Sequence, residues 1–252
     1  MPARLAVHYL PQFVPETDLA GATVVMIDLL RASSTICQAL ANGASEVLPF
    51  VEVDEVLRAA DGRDRSAVLL GGERDAQPPE GFDLGNSPLD YTPDRVFGRQ
   101  VLFTTTNGAR ALWHARLASR VLVGCIRNLS AVVDSVAADQ DVHLLCAGTA
   151  GHVTREDLLA AGAIAAELQK HEGREASDPA HAAIGEWQEL LTTARALERT
   201  PSQQLADELR GVPHGQTLVG LGYEADLDYC AEIDALSIVP IFDPATGVIR
   251  PA

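Results

Sequence analysis

Short apolar, β-branched runs recur along the chain at 5–10, 23–29, 46–51, 67–71, 101–104, 120–126 and 141–146, each stopped by a polar or glycine-rich turn. None is long enough for a helix of its own. Unbroken apolar character suits a strand covered on both faces, the habit of parallel sheets. Helical spacing follows most of the turns: 36–42 closed by Gly43, then 54–60, then 108–118 with Ala111, Leu112, Ala115, Leu117 and Ala118 on one face, then a helix from Asn128 through 138. Strand, turn and helix in repetition predict an α/β fold, a three-layer sandwich on a mostly parallel sheet.

From 154 to 210 the pattern turns helical, opened by Thr154 and Asp157 in capping-box spacing and again by Ser177-Asp178-Pro179. This predicts a helix-rich insertion or second lobe in the C-terminal half. The 252 residues read either as a single α/β domain, 1–252, or as two lobes, 1–150 and 151–252. The tail returns to the core through a strand at 236–242.

Charge and composition remove several classes of function. A formal net charge of −16 leaves no basic stripe for a phosphate backbone, so no nucleic-acid partner is expected. Lys170 is the only lysine, which leaves no P-loop and no candidate for a Schiff base. No apolar run approaches the roughly 20 residues of a membrane span, and the first residues turn polar too soon for a secretory signal. A cytoplasmic chain without a membrane partner is expected. Its four cysteines, scattered in apolar surroundings, read as reduced core thiols. A homo-oligomer is left open.

The chemistry gathers where strands stop. Five strand ends carry polar or glycine-rich residues: Asp28 with Arg31, Gly71 to Arg74, Thr104 to Gly108, Cys125 to Asn128, and Gly148 with Thr149. In open parallel sheets ligands bind beyond the carboxyl ends of the strands. Thr104, Thr105, Thr106, Asn107 and Gly108 offer hydroxyl, amide and backbone donors suited to a phosphate or sulfonate, and Arg31 and Arg74 could add forked bonds. Asp28, Glu73, Asp83 and the pair Glu156 and Asp157 are hard oxygen ligands of the kind that suits magnesium. Simpler readings stand beside these: Asp28 paired with Arg31, the threonines as a helix cap, Ser33, Ser34 and Thr35 as another, Glu156 and Asp157 in a capping box. His152 and His214, next to loop glycines, are the better acid–base candidates. A GxSxG elbow and the second aspartate of an aspartyl-phosphate phosphatase are both absent.

Taken together, Ile27-Asp28-Leu29-Leu30-Arg31-Ala32-Ser33-Ser34-Thr35, Ala41-Asn42-Gly43-Ala44, Gly71-Gly72-Glu73-Arg74, Gly81-Phe82-Asp83-Leu84-Gly85-Asn86-Ser87-Pro88, Thr105-Thr106-Asn107-Gly108, Cys146-Ala147-Gly148 and Glu156-Asp157 resemble the 2-phosphosulfolactate phosphatases of the ComB family. The motifs stand in the family's order and cover nearly the whole chain. The resemblance implies a magnesium-dependent phosphomonoesterase that converts (2R)-2-phospho-3-sulfolactate to (2R)-3-sulfolactate and phosphate, a step in coenzyme M biosynthesis. That small anionic substrate carries phosphate, carboxylate and sulfonate together. On this reading Asp28, Glu73 and Asp157 hold Mg2+, and Asp28, Arg31, Glu73 and Asn107 carry the catalysis. Arg74, Asn86, Ser87, Thr105, Thr106 and Gly108 contact substrate. Two alternatives remain within reach of the same residues: a phosphatase for another small phospho-acid, and a non-catalytic binder of sulfonated or phosphorylated acids.

Overall fold

A computed structural model describes residues 3–171 and 174–252. Within them β1 (Ala3–His8), β2 (Thr23–Ile27), β3 (Glu46–Phe50), β4 (Val68–Gly72), β5 (Gln100–Thr104), β6 (Arg120–Gly124), β7 (Asp141–Cys146), β8 (Arg174–Ala176), β9 (Pro240–Asp243) and β10 (Val248–Pro251) form one sheet. Its order is β4-β5-β3-β10-β9-β6-β2-β7-β1-β8. Two groups pair in parallel, β4-β5-β3 and β6-β2-β7-β1-β8, as the apolar runs predict. Every residue of β2 and of β4 is buried, so both faces of the sheet are covered there.

The tail departs from expectation. In place of one strand at 236–242 it forms the hairpin β9–β10, which enters the middle of the sheet and joins the two parallel groups through antiparallel pairings. Three antiparallel steps reverse the sense of one group against the other. Residues just beyond the carboxyl ends of β2, β4, β5 and β7 nevertheless line one pocket, and α1 (Ala32–Ala41), which follows β2, packs on β3, β6 and β9.

The remaining helices are α2 (Val53–Ala60), α3 (Pro93–Val96), α4 (Gly108–His114), α5 (Leu129–Val136), α6 (Arg155–Leu168), α7 (Asp178–Ala196), α8 (Pro201–Gly211), α9 (Pro213–Gly220) and α10 (Glu224–Cys230). One apolar cluster runs from Leu5 to Ile249 and takes in Trp187 of α7, Leu209 of α8, Leu218 of α9 and Leu227 of α10. Among the described residues no helix is long and apolar enough to cross a membrane.

Local boundaries correct the sequence reading in instructive places. The helix expected at 36–42 already begins at Ala32, so Ser33, Ser34 and Thr35 do not cap it. They tie its first turn to the chain around it: Ser33 Oγ accepts the N–H of Asp28 at 2.9 Å, Ser34 Oγ donates to the Leu29 carbonyl at 3.0 Å, and Thr35 Oγ1 donates to the Asn86 carbonyl at 2.8 Å. Ser177 behaves as expected, its Oγ accepting the N–H of Ala180 at the start of α7. The 108–118 helix stops at His114, leaving Leu117 exposed.

Candidate active site

Asp28 follows the last residue of β2 and is almost fully buried. Its Oδ1 accepts the N–H of Ala32 at 3.3 Å, which aims the carboxylate across the start of α1. Directly behind it stands Asp157 of α6, whose Oδ1 accepts the N–H of Leu29 at 2.8 Å and whose Oδ2 accepts the N–H of Gly148 at 2.9 Å. The capping-box reading of Asp157 therefore fails. Both oxygens stitch the ends of β2 and β7 together, and Asp157 does not line the pocket.

Glu73 follows β4. Gly72 precedes it with φ of +123°, and a Cβ at that glycine would lie 1.9 Å from the Thr104 carbonyl oxygen, so only glycine lets the end of β4 close onto β5. Glu73 Oε1 then accepts the N–H of Thr106 at 2.8 Å and its hydroxyl at 3.0 Å, while Oε2 accepts the N–H of Ala76 at 3.1 Å. The threonine run divides its labour. Thr104 Oγ1 receives Arg74 Nη2 at 2.9 Å, Thr105 Oγ1 caps α4 by accepting the N–H of Ala109 at 3.0 Å, and Thr106 serves Glu73. Asn107 Oδ1 accepts the N–H of Ala150 at 3.2 Å and draws the loop after β7 onto the loop after β5.

These turns enclose a pocket of about 270 Å³, the size for a small molecule, with Asp28, Arg31, Glu73, Asn86, Thr105, Thr106 and Asn107 on its wall. Gly108, expected to contact substrate, is not on that wall but packs behind Asp28. A Cβ there would lie 2.9 Å from Asp28 Oδ2 and 2.8 Å from the Ala32 methyl. Gly108→Ala must therefore push the Asp28 carboxylate aside, and a turnover loss of ~10-fold or more with melting temperature held within a few degrees is expected; a fully active variant would show that Asp28 has no fixed place in the reaction.

Arg31 does not pair with Asp28. Its Nη1 donates to Asp226 Oδ2 of α10 at 2.6 Å, its Nη2 to the Ala76 carbonyl at 2.9 Å, and Tyr223 stacks on the guanidinium with 4.3 Å to the ring centroid. Ser87, placed by sequence at the substrate, instead donates to Asp226 Oδ1 at 2.6 Å. Arg74 is likewise spent on scaffolding, on the Glu73 carbonyl at 2.6 Å, the Val51 carbonyl and Thr104, and does not reach the pocket. Asp83 pairs with Arg65 at 2.9 Å, outside the pocket. The turn after β6 stays away too: Asn128 turns back on Cys125, Val123 and Ile238 and anchors the tail. Of the two histidines singled out, His152 is exposed outside the pocket and His214 of α9 lines it, one turn from Thr217.

Asp226 and Tyr223 escaped the sequence reading. Nothing local separates Asp226 from its neighbours Glu224 and Asp228, which pair at the surface with Arg210.

The electrostatics follow from crowding. Burial raises the Asp28 carboxyl well above the ordinary range, and Asp157, Glu73 and Glu156 push it further against the opposing N–H of Ala32. Glu156 is raised to about 7 by burial and by Asp157; Asp157 is raised to about 6 by burial, opposed by the N–H groups of Leu29 and Gly148. Burial lowers the His214 imidazole, as does Arg31, with Glu73 acting the other way. Among the described residues no three His, Cys, Asp or Glu side chains meet as a ready-made metal cluster. Two carboxylates on one wall, Asp28 and Glu73, are the donor set of an ion that keeps most of its own water, which is how magnesium binds.

An α/β protein that gathers acids, hydroxyls and an amide at one sheet edge has the build of an enzyme for small anionic substrates. The chain belongs to the 2-phosphosulpholactate phosphatase family, whose model matches residues 8–244, and it is thereby a phosphoric monoester hydrolase. It is 40% identical over 238 residues to a probable 2-phosphosulfolactate phosphatase of Caldanaerobacter subterraneus subsp. tengcongensis, covering 94% of this chain and 93% of that one. A protein of the same description from Symbiobacterium thermophilum is 42% identical over 93% of this chain and 97% of its own. One from Thermotoga maritima is 38% identical over 90% and 91%.

Proposed function

We propose that the chain hydrolyses (2R)-2-phospho-3-sulfolactate to (2R)-3-sulfolactate and phosphate with magnesium, as a step in coenzyme M biosynthesis. The observation that carries this reading is the convergence of Asp28, Glu73 and the Thr105 to Asn107 turn, from three separate strand ends, on one small pocket. The description borne by the relatives supplies the substrate.

Asp28 and Glu73 would hold the metal, water completing its shell. When bound, magnesium supplies positive charge to the phosphoryl oxygens as negative charge spreads over them. The Thr105 hydroxyl and the Asn107 amide bind the same oxygens, while Thr106 gives both its donors to Glu73. Asp157 fixes the backbone beside Asp28 without touching substrate. Water adds to phosphorus as it gives up a proton, for which the neutral His214 imidazole on the α9 wall would be the acceptor; the bond from phosphorus to the C2 oxygen breaks, and that oxygen takes the proton from His214. His214→Ala is expected to lower kcat by ~10²-fold with a smaller change in KM.

Phosphate release from a panel of phospho-acids, with and without magnesium, tests the reading. Magnesium-dependent turnover confined to phosphosulfolactate supports it as stated. Broad turnover assigns the same chemistry to another small phospho-acid, and binding without release makes the chain a sensor.

A further inference from the structure

Arg31 is 1% exposed, yet it lines the pocket. Its two terminal nitrogens are taken by Asp226 and by the Ala76 carbonyl, and Tyr223 covers one face of the guanidinium. Nε is buried and has no partner among the described residues. Buried polar atoms left unpaired are costly and rare, and at a pocket wall a ligand is what completes them. A fork whose tines are already engaged cannot clasp a phosphoryl group from both sides. Its charge is also balanced by Asp226, so it suits a singly charged acid better than a dianion.

We propose that Asp226 and Tyr223 are positioning residues that orient Arg31, so that its Nε donates to the acid group of the substrate that is not transferred, its carboxylate or its sulfonate. The identity of that acid rests on the phosphatase reading above. Asp226 is itself set by Ser87, whose hydroxyl donates to Oδ1, leaving Oδ2 for the guanidinium. The long 75–97 segment and the C-terminal helices thereby meet on one side chain of the turn after β2. Substrate preference would then be built by α10, far in sequence from the acids that carry the hydrolysis.

Calorimetric binding of 3-sulfolactate and of inorganic phosphate to the full chain tests this without turnover. Asp226→Ala is expected to raise the Kd for 3-sulfolactate at least 30-fold while the Kd for phosphate moves less than threefold. Asp226→Asn can still accept from Nη1 and give its amide N–H to Ser87, and is expected to stay within fivefold of the natural protein. Tyr223→Leu, which keeps an apolar side chain at a partly buried position against the core, is expected to weaken 3-sulfolactate about tenfold even if the Asp226→Ala chain does not fold. The acid group is identified as the one whose single-acid probe, lactate or 2-hydroxyethanesulfonate, weakens in step.

Equal losses for 3-sulfolactate and phosphate overturn the proposal, as does an Asn variant as weak as the Ala variant, the absence of any 3-sulfolactate binding to the natural protein, or no loss with either single-acid probe. Should the natural protein bind 3-sulfolactate but release no phosphate from any ester, hydrolysis fails and the Arg31 subsite stands.

Discussion

Asp28→Asn is expected to abolish magnesium-dependent phosphate release and, in the metal-free protein at pH 8, to raise the melting temperature. The two effects have one cause. Asp28 is buried beside Asp157, Glu73 and Glu156, and the arginine on the pocket wall, Arg31, is already paired with Asp226. An ionised carboxyl there is unfavourable until a cation arrives; the amide removes the charge and keeps an oxygen for the Ala32 N–H. Losing a ligand to the charge that stabilises the phosphoryl oxygens removes several kcal/mol of transition-state stabilisation, a loss of ~10³-fold or more.

The pH dependence has a definite sign. Asp157 is raised from 3.8 to about 6 and Glu156 from 4.5 to about 7, so between those values the folded chain binds protons that the unfolded chain has released. That contribution to stability is fully present below about pH 4, and it is lost as pH rises through about 6 and 7. For Glu156 alone the loss is on the order of 3 kcal/mol. Melting curves of the metal-free protein should therefore fall from pH 5 to pH 8, and magnesium should restore part of the loss at the upper end. Asp28→Asn should flatten the fall and blunt the response to magnesium. Undiminished turnover in Asp28→Asn would take the residue out of the reaction.

The strands and the pocket were legible in the sequence for different reasons. Apolar runs such as 141–146 name their strand because burial on both faces demands unbroken apolar character, and the structure places β7 at those residues. The hairpin in the middle of the sheet was not legible, because Pro240–Asp243 and Val248–Pro251 are short and their partners lie more than a hundred residues away, on β6 and β3. Asp28, Glu73 and Asn107 were found because a polar residue at a strand end is conspicuous against an apolar run. Arg74 and Ser87 stand in equally conspicuous motifs, yet their donors are consumed by the scaffold, and spacing does not distinguish a donor that faces a ligand from one that faces a carbonyl. Asp226 shows the converse: an acid in an ordinary amphipathic helix, made special only by the arginine that folding brings to it.

Arg31→Ala should be the most damaging single change to stability. It strands Asp226, 1% exposed, with only the Ser87 hydroxyl for company. Breaking a buried pair from one side costs about 3–5 kcal/mol, because the remaining charge stays out of water. For a chain of this size that lowers the melting temperature by on the order of 10 °C. The double variant Arg31→Ala with Asp226→Ala removes both charges and leaves only a cavity, so it should be no less stable than Arg31→Ala alone, and more stable than the two single losses added together. Binding should not recover with stability: 3-sulfolactate should be held as poorly by the double variant as by Arg31→Ala. That separation is the point at issue, since a pair whose joint deletion costs the fold less than its parts added together, while binding stays lost, is kept for the ligand. Strictly additive melting-temperature losses would mean that Arg31 and Asp226 do not act as a unit, and α10 would then have no part in shaping the pocket.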